Sequence, residues 1–260
     1  MNFQTILFSN ENGVATITLN RPDVFNAFNE ELSKDVNDAL KLVGKDKSVR
    51  VLVITGAGKA FCSGQDLKDI AGKKDRSLSE SLYKRYNPMI KAIRNLSIPV
   101  ICKLNGVAAG AGCSLALACD IIVAAENASL IEVFVNVGLV LDSGSSYFLP
   151  RVLGSARAFE LATMGTKVSA QQAYDWGMVN RVVKPEELEN EVEKFIQYYA
   201  SAPTKAIGLM KKMLQKSYTA NLDEMLEYEA FCQEIAGKSN DYKEGVTAFN
   251  EKRRPIFNGN

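Results

Sequence analysis

Residues 105–120 read NGVAAGAGCSLALACD and follow the apolar run PVICKL at 99–104. No other stretch restricts the fold of this chain so strongly. The apolar run has the pattern of a buried strand, and residues 114–118, SLALA, suit an apolar helix. Between them lie Gly106, Gly110 and Gly112 among other small residues. A strand-to-helix junction without bulky side chains lets main-chain N–H groups approach a neighbour closely. The first N–H groups of a helix also lack partners of their own and sit at the positive end of its dipole. The junction is thus either a tight packed turn or a site for negative, or developing negative, charge. The stretch by itself weighs these two equally.

The alternation of strand and helix extends to both sides. Residues 14–19 (VATITL) alternate Thr with apolar side chains, as a half-buried strand does. Leu32, Val36, Ala39, Leu40 and Val43 recur at helical spacing from Asn29 onward. Residues 49–54 (VRVLVI) have the near-continuous apolar character of a strand buried on both faces, and 121–125 (IIVAA) read as another buried strand. Residues 82–96 predict an amphipathic helix with Tyr86, Ile90 and Ile93 on one face, and 179–183 a last short strand. From Pro185 the pattern is helical: 186–200, 203–216, 221–236 and 240–253. Alternation followed by helices alone predicts an α/β core with a helical C-terminal extension. A length of 260 residues suits that arrangement. The polar segment 69–78 (DIAGKKDRSL) is expected to be mobile.

Composition removes several function classes. Thirty-one basic and 30 acidic residues give a net charge of +1, so nothing points to nucleic acid or an anionic membrane surface. There is no apolar run of membrane-spanning length, and the opening residues lack the pattern of a signal peptide. The five cysteines (Cys62, Cys102, Cys113, Cys119, Cys232) are odd in number and show no Cys-x-x-Cys spacing. They read as small buried hydrophobes in a reducing cytoplasm. The chain contains no histidine. Ser-His-Asp and Cys-His catalysis and every histidine-dependent metal site are therefore excluded. Proton transfer near neutral pH falls to a carboxylate, Lys, Tyr, Cys or a bound cofactor.

Two Gly-Ala-Gly turns, at 56–58 and 110–112, invite a dinucleotide reading, but Phe61 and Leu115 stand where a third glycine is required. No Gly-Lys-Ser/Thr is present, which excludes a P-loop. The combination of turns says more. Residues 61–67 (FCSGQDL) and 105–114 each lead from a strand end through glycine toward a helix. One N–H from each turn could converge on a single oxygen, and losing one donor of such an oxyanion hole costs about 3–4 kcal/mol of transition-state stabilisation. A third strand end, residues 139–144 (LVLDSG), brings Asp142 to another small-residue turn. An isolated Asp-Ser-Gly is equally a helix N-cap pattern.

These segments, together with 119–120 (CD), 170–179 (AQQAYDWGMV), 241–249 (DYKEGVTAF) and 251–253 (EKR), resemble the enoyl-CoA hydratase/isomerase (crotonase) family from about residue 5 to the end of the chain. The resemblance implies an α/β, crotonase-like fold of repeated ββα units over 1–198, with a C-terminal helical trimerisation region at 199–260. It implies an acyl-CoA thioester substrate, no cofactor beyond the coenzyme A carried by that substrate, no metal, and a homotrimer or dimer of trimers. Carried over position by position, the oxyanion-hole N–H groups belong to Gln65 and Ala111. Asp66, Leu67 and Lys68 flank the coenzyme A, and Ser114 and Phe134 join the substrate site. The 69–80 segment is expected to line the acyl end.

The same comparison separates the family's reactions. Its hydratases carry one Glu directly after the Gly-x-Gly-Cys segment and a second on the following strand; here those positions hold Ser114 and Phe134. Neither can activate water as a carboxylate does. Glu132, two residues before Phe134, would share its face on a strand, and a register slip would bring it into place. Asp142 matches the single acid of the family's isomerases. Residues 137–151 (VGLVLDSGSSYFLPR) resemble the branch that rearranges a ring-epoxide CoA thioester of phenylacetate breakdown to an oxepin and shifts double bonds in enoyl-CoA. Leu141 stands where that branch often has Pro, and Ser145 where it has Gly. The family's dehalogenases also use an Asp here but need a histidine, and Asn87 occupies that place. The expected activity is therefore double-bond shift or epoxide rearrangement through a thioester enolate, with Asp142, Gln65 and Ala111 as the catalytic set. Enoyl-CoA hydration and a non-catalytic acyl-CoA-binding role are the alternatives.

Overall fold

Strands rich in Val, Ile and Thr alternate along this chain with strands of only three residues, and the two kinds build different sheets. The computed structural model describes residues 2–70 and 77–260. The longer strands are β1 (Ile6–Glu11), β2 (Val14–Leu19), β3 (Val51–Gly56), β5 (Val100–Leu104) and β7 (Ile121–Ala125). With the short β10 (Arg181–Val183) they form a six-stranded sheet in the order β1-β2-β3-β5-β7-β10. Only β1 and β2 are antiparallel. Their hairpin turns at Asn12 and Gly13, both at positive φ (53° and 81°), the combination a two-residue type I′ turn requires.

The other short strands, β4 (Ala60–Cys62), β6 (Val107–Ala109), β8 (Ser129–Ile131) and β9 (Lys167–Ser169), form a second sheet in that order. Three times in succession one strand enters the large sheet and the next enters the small one: β3–β4, β5–β6 and β7–β8. This is the repeated ββα architecture that the sequence motifs implied. The expected reading of 105–114 as turn alone is corrected here, because residues 107–109 pair as β6 between β4 and β8.

Helices cover both faces of the large sheet. Helix α1 (Glu30–Lys45) is capped by Asn29, whose side chain accepts from the Leu32 N–H, and buries Leu32, Val36, Ala39, Leu40 and Val43 as the spacing predicts. Helices α2 (Asn87–Asn95), α3 (Ala111–Ala118), α4 (Ser145–Leu153) and α5 (Ser155–Met164) follow. Met89, Ile93, Leu115 and Leu149 pack with Ile17, Leu52, Ile54 and Phe61 in the main core. On the opposite face Val51, Val53, Ile101 and Val123 meet Leu188 and Val192 of α6 (Leu188–Ser201). Strand β3 is accordingly buried along its whole length, as its composition predicts.

After α6 come α7 (Thr204–Lys216), α8 (Leu222–Gly237) and α9 (Asn240–Asn250). The expected boundary at residues 198 and 199 falls near the C-terminal end of α6. Lys211 of α7 is buried and reaches Asp120 (2.6 Å) and the carbonyls of Ile93 and Ile98, which fixes the C-terminal helices to the core. Among the described residues no helix is long and apolar enough to cross a membrane. Residues 71–76, within the segment expected to be mobile and to line the acyl end, lie outside the described residues.

Candidate active site

Parallel pairing of β4, β6 and β8 brings their C-terminal ends to one edge. The residues that leave this edge are Ser63, Gly64 and Gln65 after β4, Gly110 and Ala111 after β6, and Glu132, Val133 and Phe134 after β8. The first two turns approach too closely for side chains. A Cβ on Gly64 (φ +89°) would stand 2.8 Å from the Ala109 carbonyl oxygen, and one on Gly112 would stand 2.2 Å from that of Cys62. The small residues that the sequence places here are thus required by main-chain contact. Ala111 opens helix α3, so its N–H has no acceptor within the helix.

A preceding loop braces the Gln65 turn. The Phe28 N–H donates to the Gly64 carbonyl (2.7 Å) and the Asp66 N–H to the Phe28 carbonyl (2.9 Å). Asn26, fully buried at φ +57°, donates to the carbonyls of Ala57 and Ala60. The Gln65 side chain donates to the Phe28 carbonyl (2.8 Å) and accepts from the Tyr86 hydroxyl (2.7 Å).

Beyond these turns opens a cavity of about 420 Å³. Leu67, Leu78, Leu82, Val133, Phe134 and Leu139 give it apolar walls, and Gln65, Ala111, Tyr86 and Asp142 also line it. Asp142 is the one charged side chain on this wall among the described residues. Burial raises its carboxyl above the ordinary value of 3.8, while the Ser143 hydroxyl, donating at 2.8 Å, opposes that rise. Ser143 is buried with φ +51°, a conformation that costs a non-glycine residue about 1–3 kcal/mol and occurs at functional sites.

The other expected substrate-site residues divide. Gln65, Leu67, Ala111 and Phe134 line the cavity with Asp142; Asp66, Lys68 and Ser114 do not. Burial opposes ionisation of Asp66, but Arg21 at 3.0 Å and the N–H groups of Lys68 and Asp69 outweigh it and hold its carboxyl below the usual range. Ser114 is fully buried in α3 and meets the Ser145 hydroxyl at 2.7 Å.

Phe134 requires a correction. Strand β8 ends at Ile131, and Phe134 lies on the 3-10 turn Val133–Val137. Glu132 and Phe134 therefore do not share a strand face: Phe134 lines the cavity, whereas Glu132 is 2% exposed behind it. Sequence reasoning took Tyr86 as a core residue only, and gave Ser145 no role. Tyr86 carries no motif and Ser145 stands out only as a departure within residues 137–151; both are recruited through tertiary contacts.

The family model for enoyl-CoA hydratase/isomerase matches residues 9–260. The chain belongs to the enoyl-CoA hydratase/isomerase family. It is 44% identical to the 1,2-epoxyphenylacetyl-CoA isomerase of Escherichia coli K12, over 98% of each chain. It is 38% identical over the full length of both chains to a probable enoyl-CoA hydratase of Rhodobacter capsulatus. Among solved structures, an enoyl-CoA hydratase/isomerase from Mycobacterium abscessus superposes with a TM-score of 0.94 at 34% identity, covering 98% of this chain and 100% of that one. The crotonase fold and the enoyl-CoA hydratase/isomerase class of enzyme are thereby shown, in agreement with the motifs.

Proposed function

We propose that the protein is an acyl-CoA isomerase that shifts a double bond from Δ3 to Δ2 or rearranges a ring-epoxide CoA thioester. The observation that carries this reading is Asp142, the single carboxyl on the cavity wall among the described residues. A thioester acidifies the neighbouring C–H. Asp142 takes that proton as base, the N–H groups of Gln65 and Ala111 stabilise the enolate oxygen, and Asp142 returns the proton two carbons away. Burial of Asp142 brings its affinity for a proton closer to that of the reacting carbon acid. In the ring-epoxide case the same acid assists opening of the strained ring. Ser114 and Phe134, at the positions where the family's hydratases carry Glu, supply no group to activate water.

The substrate's coenzyme A is taken to run past Asp66, Leu67 and Lys68, and no separate cofactor is used. The exposed apolar residues of α8 and α9, such as Leu222, Phe231 and Phe249, support assembly as a homotrimer or dimer of trimers, and the free, buried cysteines suit a cytoplasmic location. The deciding experiment compares 3-enoyl-CoA, 2-enoyl-CoA and aryl-epoxide CoA thioesters with the purified protein. Isomerisation of the first or third without water addition to crotonyl-CoA is expected; hydration as the dominant activity overturns the reading. Exchange of the α-proton with deuterated water separates catalysis from binding alone.

A further inference from the structure

Glu132 has no place in the reaction above, yet it is buried with Ser145 and Ser114 in a chain of oxygens that ends at the part-buried Asp142 carbonyl. Its Oε1 lies 2.8 Å from Ser145 Oγ, which lies 2.7 Å from Ser114 Oγ. Ser114 Oγ then reaches the main-chain carbonyls of Asp142 (3.1 Å) and Gly110 (3.2 Å). Both serines are 0% exposed. Three links join the carboxyl to the carbonyl end: Glu132 to Ser145, Ser145 to Ser114, and Ser114 to carbonyl. A carbonyl cannot donate, and two hydroxyls carry two protons. Filling all three links takes a third proton, which the Glu132 carboxyl alone can hold. If the carboxyl ionises, Ser145 turns to donate to it, Ser114 turns to Ser145, and the Asp142 carbonyl loses its hydroxyl donor.

The surroundings agree with this count. Ser145 faces Glu132 from α4, the Cys113 thiol from α3 and the Asp142 carboxylate from its loop, with no cation among them. Burial and then the Asp142 charge push the Glu132 carboxyl up, against the bonds from Ser145 and Cys113, to about 7. Burial also pushes the Cys113 thiol well up, so it stays neutral. Glu132 Oε2 is buried without a hydrogen-bond partner, which a neutral acid tolerates far better than a carboxylate.

We propose that Glu132 is a positioning residue: as a neutral acid it anchors a Ser145–Ser114 hydroxyl relay that holds the main chain of Asp142, and its ionisation releases that hold. The inference rests on the reading of Asp142 as the acid/base. Glu132→Leu is expected to lower kcat for 3-enoyl-CoA about tenfold with KM within about twofold. Glu132→Gln, whose amide still donates to Ser145, is expected to restore kcat to within about threefold and to abolish an alkaline fall in kcat centred near pH 7. A Glu132→Gln variant as inactive as Asp142→Asn, or one that keeps the wild-type alkaline limb, overturns the proposal. A substrate-free measurement separates this from failure of the Asp142 reading. Between 4.5 and about 7 the native chain holds a proton at Glu132 that the unfolded chain has lost, so stability falls as pH rises through that window. Melting temperatures of Glu132→Gln and wild type should diverge by several degrees from pH 5 to pH 8, the variant melting higher. Parallel melting curves sink the neutral anchor even if Asp142→Asn is inactive. Divergent curves with a fully active Asp142→Asn uphold the anchor and remove Asp142 from the chemistry.

Discussion

At the scale of single residues, the chemistry of this site depends on how one carboxyl is held. Asp142→Asn keeps the shape and hydrogen-bonding size of the side chain but removes the base. We expect kcat to fall by about 10²–10⁴ while KM changes only a few-fold, measured as conversion of 3-enoyl-CoA. Because burial raises the Asp142 carboxyl and the base must be ionised, activity should be lost on acidification at a pH above its ordinary value of 3.8. Ser143 donates to the charged form and so holds that value down. Ser143→Ala should therefore move the acid limb of kcat/KM to higher pH. An unmoved limb would show that the Ser143 hydroxyl does not govern the titration.

At the scale of elements, the small sheet decides where the site lies. Its strands have three residues each, too few to show a periodicity of two, and their pairing partners lie 46–47 residues away for β4 with β6 and 36–40 for β8 with β9. Sequence patterning consequently recovers β2, β3, β5, β7 and α1 to within a few residues, yet reads β4 and β6 as parts of turns and extends the strand at β8 past Glu132 to Phe134. The β1–β2 hairpin goes unread, because periodicity picks out only its second strand and leaves the Asn12-Gly13 turn unused. Gly112 supplies an element-scale prediction. Its missing side chain lets α3 lie against the Cys62 carbonyl, where a Cβ would come within 2.2 Å. Gly112→Ala should force β4 and α3 apart, costing about 1–3 kcal/mol or more by chemical denaturation and lowering kcat through displacement of the Ala111 N–H. Wild-type stability together with wild-type kcat would contradict this close approach.

At the scale of the whole molecule, α7 joins the helical extension to the core through one buried cation. Burial lowers the Lys211 ammonium below its ordinary value, and Asp120 opposes that shift. The contact is retained because Asp120 and two carbonyls satisfy its protons. Lys211→Met leaves Asp120 with Arg94 at 3.3 Å as its remaining ion-pair partner and should cost about 3 kcal/mol, read as a lowered denaturation midpoint. An unchanged midpoint would mean that this ion pair contributes nothing to docking of α7. The apolar residues exposed on α8 and α9 lead us to expect three or six chain masses by light scattering. A concentration-independent monomer would leave those faces without a partner.

The sequence by itself determined the alternation of buried strands and amphipathic helices, the absence of histidine chemistry, and the small-residue turns that identify the family. Each of these is local: a period, a residue type or a spacing is complete within a few neighbours. Tertiary structure alone decided that Glu132 and Phe134 part company after β8, that Tyr86 clamps Gln65, and that Ser114 faces Ser145 instead of the cavity. The first depends on where pairing of β8 with distant strands stops, and the other two join side chains 21 and 31 positions apart; no local pattern encodes either.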